Sequence, residues 1–311
     1  MGSSSSSVPA GIESPFERAL TDGRFVLTAE LESPRGASAA NVERQARAYA
    51  PLVDAVNCTD NSAAVARMSP VAAAAIAARS GLTPLVQLTS RDRNRLAVQS
   101  EILGAAAVGA AGVVCMWGDP PQTGNHPDAK GVYDLDTLDL LRAVRSLVDG
   151  RFLSGDRVFS PPRLLPGAVV TPADSDAAVE NLRGKVEAGA VFVQTQIGYD
   201  MTQFAAWMHR VRADGLHERV KILAGVAPIR RLSIARYLAE HVPGVTVPDV
   251  VMQRLERAGD VEREGVAVAA EHLRTVQAIE GVSGAHIMTF GWVEGVRRVV
   301  EAAGLAGGRR A

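Results

Sequence analysis

The chain has little of what several common kinds of site are built from. Cys58 and Cys115 are its only cysteines. Both sit inside apolar runs, so a disulfide framework is not supported and buried free thiols in a reducing compartment are expected. The six histidines are scattered along the chain. They suggest neither a dedicated zinc site nor a Ser/His/Asp triad, and are read as structural or surface residues. With 33 basic residues against 34 acidic ones, the net charge is -1, which leaves no electrostatic footprint for nucleic acid or a polybasic membrane contact. No Gly-x-Gly-x-x-Gly stands at a strand–helix junction, so a Rossmann-type dinucleotide fold is not expected. Long apolar runs are missing too. The Ala/Val-rich stretch 102–116 is interrupted by Gly104, Gly109 and Gly112 and is too short to span a bilayer. The opening "MGSSSSSVPAG" lacks the basic and apolar regions of a signal peptide. A cytoplasmic protein is expected, and association into a homo-oligomer is left open.

What the chain does have is apolar material: 47% of its 311 residues are hydrophobic, enough for a large core. Short β-branched runs recur at 24–31, 55–59, 83–89, 112–117, 165–170, 190–196, 221–227 and 284–290. Between them lie helical patterns at 38–50, 69–80, 93–110, 135–149, 174–188, 201–214, 231–241 and 261–281. Eight strands alternating with eight helices predict an α/β fold with a parallel sheet, and at this length a closed (β/α)8 TIM barrel in a single domain. An open doubly wound sheet is the competing arrangement. The strands read as nearly continuous apolar runs, as both-face burial requires. Residues 1–22 are expected to be a flexible arm, 23–304 the barrel, and 305–311 a frayed tail.

In such a barrel the C-terminal strand ends line the mouth. The sequence puts Glu30, Thr59, Gln87 with Thr89, Asp119, Gln196 and Thr289 there. Glu30 lies among apolar Leu27, Ala29 and Leu31, so partial desolvation should raise its pKa and suit it to general-acid work. The alternative is that Glu32 is the exposed carboxylate and Glu30 ion-pairs with an arginine. Asp119 ends an apolar run in "VVCMWGDPP". There Gly118 allows close backbone approach, and Pro120 and Pro121 stiffen the exit. A simple turn aspartate is the alternative. The charged run "SRDRNR" (90–95) could reach phosphates or form a solvated helix start with Asp92 in its first turn.

An ordered set of segments carries a resemblance: "AELESPRG", "LTSRDRNRLAVQSEILGAAAVGAAGVVCMWGDPP", "HPDAKGVYDLDTLDLLRAV", "ENLRGKVEAGAVFVQTQIGYD" and "ILAGVAPIRRLSIARYLAEHVPGVTVPDVVMQRL". Together they resemble methylenetetrahydrofolate reductases over about residues 24–295. The resemblance implies a barrel that binds FAD at the strand ends. It also implies reduction of 5,10-methylenetetrahydrofolate to 5-methyltetrahydrofolate with NAD(P)H, donor and folate using one flavin face in turn. Glu30 then matches the acid that protonates the departing folate nitrogen, and Asp119 the carboxylate beside flavin and pterin. Gln196 matches the amide that contacts the pterin. Tyr199 and Asp200 remain in the segment that follows, with Tyr199 expected beside the substrate. Thr59, Gly118, Asn181 and Lys185 fall where flavin contacts occur, and Gln87 and Trp117 are expected to contact the cofactor with them.

The chain departs from the family pattern at several of these places. Gln87 stands where histidine is usual, and Trp117 precedes the Gly-Asp pair. The 165–174 segment differs, Ala178 replaces an acidic ribose contact, and Ile197-Gly198 replaces the usual pair. Gly291-Trp292 occupies the place of an arginine expected at the folate tail. Trp117 is expected either to stack on a flavin or pterin ring or to pack in a barrel corner. Two other readings stay open: a relative that oxidises methyl-tetrahydrofolate or takes electrons from a protein partner, with or without flavin, and a non-catalytic folate-binding barrel.

Overall fold

A computed structural model describes residues 13–242 and 244–306. Eight parallel strands close into a barrel in sequence order. They are β1 (Val26–Leu31), β2 (Ala55–Cys58), β3 (Pro84–Thr89), β4 (Gly112–Met116), β5 (Leu165–Val170), β6 (Phe192–Ile197), β7 (Lys221–Val226) and β8 (Val282–Ile287). Each lies within a few residues of an expected run, and the open-sheet alternative falls away because β1 pairs with both β2 and β8.

Helices α2 (Ala39–Tyr49), α3 (Pro70–Arg79), α4 (Arg95–Ala107), α5 (Thr137–Val148), α6 (Asp176–Glu187), α7 (Met201–Ala213), α9 (Leu232–His241) and α11 (Val261–Ala278) answer to the expected helical stretches. Four more were not anticipated: α1 (Pro15–Thr21), α8 (Leu216–Arg219), α10 (Asp249–Arg257) and α12 (Val293–Ala302). The largest apolar cluster lies between barrel and helices and includes Leu27, Ala29 and Leu31 of β1, Trp207 of α7 and Val299 of α12. Cys58 and Cys115 are free and buried in that layer, where burial pushes both thiols well above their usual pKa. No described helix is long and apolar enough to cross a membrane.

The expected flexible arm over 1–22 needs correction at its end. Ser14 caps α1 through its hydroxyl, and Phe16, Ala19 and Leu20 are buried. Phe16 meets Phe192 edge-on at 5.4 Å inside the barrel floor, and Arg163 grips the Glu17 carboxylate at 2.9 Å. A short amphipathic helix is stabilised here by the hole it fills rather than by its own propensity. Residues 1–12 and 307–311 lie outside the described residues. Leu305, in the expected tail, packs on the core.

Strand register fixes what shares a height inside the barrel. Glu30 pairs with Asn57, and Asn57 with Leu85. Each strand is sheared by one residue against the next, so Gln87, two residues beyond Leu85, is level with Glu30. The same step leads to Val169 on β5 and Gly225 on β7, then back to Glu30. The layer beneath holds Asn57, Val114, Gln194 and His286; the rim layer above holds Thr59, Met116, Gln196 and Met288.

The layer beneath is polar but internally satisfied. Asn57 and Gln194 trade amide hydrogen bonds at 2.6 and 3.0 Å. Thr28 Oγ1 and Gln194 Nε2 both approach His286 Nδ1, at 2.8 and 3.4 Å. With two donors converging on Nδ1, we assign the neutral tautomer protonated at Nε2. Burial holds this imidazole's pKa down to about 3.

Candidate active site

Glu30 sits one layer below the rim, beside Gln87, Val169 and Gly225. Only one of these three side chains is polar, so the carboxyl gives up water without gaining a cation. Burial, and secondarily the Glu32 charge, raise its pKa to about 7, against a hydrogen bond from Gln87 and the more distant Arg67 charge. The arginine pair anticipated as an alternative belongs to the neighbour: Arg67 meets Glu32 at 2.7 Å and donates to the Ser33 carbonyl at 3.1 Å.

Asp119 lies on the same rim at the end of β4 but stays exposed. Its Oδ2 accepts the backbone N–H of Ala63 at 3.1 Å. Ala63 belongs to a tight turn after β2 in which Asn61, Ala63 and Ala64 all have positive φ. Such backbone costs free energy and persists only where neighbours hold it. Gly118, with φ +88°, turns the chain where a Cβ would come within 3.0 Å of Thr89.

The "SRDRNR" run neither reaches into the mouth nor starts a helix at Asp92. Arg91 is buried, donating to the carbonyls of Asp119 at 3.0 Å and Asn61 at 3.2 Å and to the Asp92 carboxylate at 2.7 Å. Arg93 grips both oxygens of Asp60 at 2.7 and 3.1 Å, and Arg95 pairs with Asp134 at 2.9 Å. Asn94 caps α4 instead, accepting from Leu96 and Ala97. The basic run is therefore a brace that ties the loops after β2, β3 and β4 together. Asp60, which the sequence reading passed over, is its buried anchor and also receives the Thr89 N–H and hydroxyl at 2.9 Å each.

Gln196 is partly exposed at the rim, within an irregularity in the β6–β7 register. Its Oε1 accepts the Ile197 N–H at 3.0 Å. Trp117 is half exposed and stacks on Tyr133 at 4.4 Å and 19°. Tyr199 is placed elsewhere. Its ring is buried in an outer apolar cluster with Ile229, Leu238, Val251 and Leu255, 6.0 Å from the His272 ring. Trp292 packs under two guanidinium groups, Arg230 and Arg298, at 5.2 and 5.3 Å.

The residues expected to hold FAD are largely engaged with protein. Thr59 is buried, and its Oγ1 accepts the Ser33 N–H at 3.0 Å. Gln87 bonds Glu30. Lys185 points inward, its Nζ donating to the Val169 carbonyl at 2.8 Å and to Asn181 Oδ1 at 2.5 Å. Burial lowers its pKa to about 8. Ala178 offers no acceptor. Of the set only Asn181 and Trp117 are exposed, and with Thr59 and Lys185 bonded to protein these side chains do not fit a cradle for the flavin phosphates. Among the described residues no group of three or more His, Cys, Asp or Glu could hold a metal ion.

The family model for methylenetetrahydrofolate reductase matches residues 15–304. Among curated relatives, Methylenetetrahydrofolate reductase 1 of Schizosaccharomyces pombe is 25% identical over 224 residues, 71% of this chain and 35% of its own length. The 5,10-methylenetetrahydrofolate reductase of Pectobacterium carotovorum is 26% identical over 222 residues, 70% of this chain and 68% of its own. This chain thus spans about a third of the first relative's length. Of solved structures, a Clostridium thermocellum protein described as binding two copies of 5-methyl-5,6,7,8-tetrahydrofolic acid superposes with a TM-score of 0.66 at 11% identity, over 93% of this chain and 98% of that one. With the family model matching across the whole barrel, the chain belongs to the methylenetetrahydrofolate reductase family.

Proposed function

We propose that this barrel reduces 5,10-methylenetetrahydrofolate to 5-methyltetrahydrofolate with hydride from NAD(P)H. The observation that carries the reading is Glu30, a carboxyl kept substantially protonated near neutral pH just below an open rim. Ring opening needs such a group. Its proton goes to the folate nitrogen that departs, the C–N bond breaks with its electron pair on that nitrogen, and the other nitrogen is left as a methylene iminium. Hydride from reduced nicotinamide then forms the methyl group and leaves oxidised nicotinamide. Asp119 supplies a fixed negative charge on the rim that favours the cationic iminium, and the rim amide of Gln196 suits a pterin.

FAD, carried in the family as the hydride relay, belongs to this proposal only as a question for experiment. Lys185 and Asn181 would have to exchange their bonds to protein for bonds to the cofactor. The test is an anaerobic assay of the purified protein with NADH or NADPH and methylenetetrahydrofolate, with an absorption spectrum taken alongside. Formation of 5-methyltetrahydrofolate matched by nicotinamide oxidation supports the reading. Absence of that product with either donor, with and without added FAD, removes it.

A further inference from the structure

We propose that Gln87 is the positioning residue for the acid, holding the Glu30 carboxyl in one place both before and after it gives up its proton. The inference rests on the reaction proposed above and deepens it. In the sequence reading Gln87 was assigned to the cofactor; the structure gives it a different neighbour.

The register carries the argument. Gln87 and Glu30 occupy the same four-residue layer, on strands two apart, with only Val169 and Gly225 completing the ring. Gly225 contributes no side chain, and a Cβ there would come within 2.4 Å of the Thr195 carbonyl. Val169 offers only methyl groups. Gln87 is therefore the one hydrogen-bonding side chain in the layer that can meet the carboxyl, and its amide works against burial to hold the Glu30 pKa down.

Other charged or titratable groups face Glu30 from the surrounding elements without bonding it. Glu32 follows it on β1 and is neutralised by Arg67 from the loop after β2. Tyr49 of α2 is buried, and burial raises its pKa to about 12, so it stays neutral. The imidazole of His286, one layer below, is occupied by Thr28 and Gln194.

An amide suits the task because it is both donor and acceptor. Its Nε2–H can hold the carboxylate, and its Oε1 can accept the O–H of the carboxylic acid after a half-turn of the amide. An arginine or lysine could serve only the ionised form, and a second carboxylate would oppose it. Being neutral, the amide also leaves Glu30 available as an acid in the neutral range.

The test titrates Glu30 directly, so it does not depend on turnover. Carboxyl-13C NMR of Glu-labelled protein, with Glu30→Gln to identify the signal, gives the midpoint in wild type, in Gln87→Met and in Gln87→Glu. Gln87→Met has nearly the same shape and no hydrogen bond. The midpoint is expected to rise by about one pH unit in Gln87→Met, and to rise further in Gln87→Glu. In the assay, the alkaline limb of the kcat profile should move the same way, with kcat falling about tenfold at its plateau and KM for nicotinamide unchanged. Thermal unfolding checks that both variants are folded. Should Gln87→Met fail to fold, Gln87→Leu, which likewise removes the amide without adding charge, decides. A Glu30 midpoint that stays put in a folded variant overturns the inference, even where the wild-type protein reduces the folate. A shifted midpoint in a protein with no turnover upholds the contact and discards the reaction.

Discussion

Asn57 and Gln194, on β2 and β6, meet inside the barrel and exchange two amide hydrogen bonds, at 2.6 and 3.0 Å. The pair spans the interior directly beneath Glu30, where water cannot replace a lost partner. Asn57→Leu should therefore cost about 2–3 kcal/mol, since the Gln194 amide is left buried and unpaired. Asn57→Leu with Gln194→Leu should cost less than the sum of the two single changes. Urea unfolding of the four proteins measures this directly, and simple additivity would mean that the pair is not coupled.

Glu30→Gln should abolish methyl-folate formation while stabilising the fold. Below the unfolded carboxyl pKa of 4.5, folded and unfolded chains both carry the proton, and the raised folded pKa of about 7 costs nothing. As pH rises through that window the unfolded chain ionises first, and stability falls. At pH 8 the variant should gain about 2–3 kcal/mol over wild type, and much less at pH 4. Chemical denaturation at the two pH values checks it; equal gains at both would point to packing rather than charge.

Removing the cation from Asp60 should loosen the rim. Arg93→Met leaves a buried carboxylate with only the Thr89 N–H and hydroxyl. A loss of about 3–5 kcal/mol is expected, with faster amide exchange over the turn at 61–66. Unchanged exchange there would show that Arg91 alone holds the loops.

Asp119→Asn separates anchoring from charge. The amide oxygen can still accept from Ala63 N–H, so stability should change by under about 1 kcal/mol. The kcat should fall at least about tenfold if the charge favours a cationic intermediate. Measured kcat and Tm on the same preparation distinguish the two roles.

Acid should destabilise the protein through its buried imidazoles. His286 and His272 hold pKa values of about 3 and about 4 in the fold. Below 6.5 the unfolded chain takes up protons that the folded chain refuses, so stability drops as pH falls, by about 1.4 kcal/mol per pH unit for each group. Glu30 slopes the opposite way between 4.5 and 7, leaving a net decline. Denaturation midpoints from pH 8 to 4 test this, and His286→Gln should flatten the curve.

The strands were readable because a parallel barrel buries both faces and leaves continuous apolar runs between helical patterns. Glu30 stood out as a carboxylate inside such a run. Its partner did not. That Gln87 rather than any nearer residue meets it depends on barrel shear, a property of closure that no single strand reveals. Helix α1 was passed over because "SPFERAL" makes a helix only where Phe16 has a floor to fill. Tyr199 was expected at the substrate, yet Val245, Val247 and Val251, from a segment punctuated by proline and glycine, roof it over. Arg93 and Arg95 looked like anion ligands because their acidic partners lie in other loops, Asp60 at the end of β2 and Asp134 before α5, whereas Arg91 pairs with Asp92 inside the run itself.

The plug formed by Phe16 has a bearing on the order of events. Helix α1 and Phe192 stop the lower end of the barrel, and above them the Asn57–Gln194 pair lies across the interior. Traffic to Glu30 therefore has a single doorway. In the proposed reaction a folate and a nicotinamide would either take turns in it or enter pressed ring to ring, and inhibition of each substrate by an excess of the other would tell which.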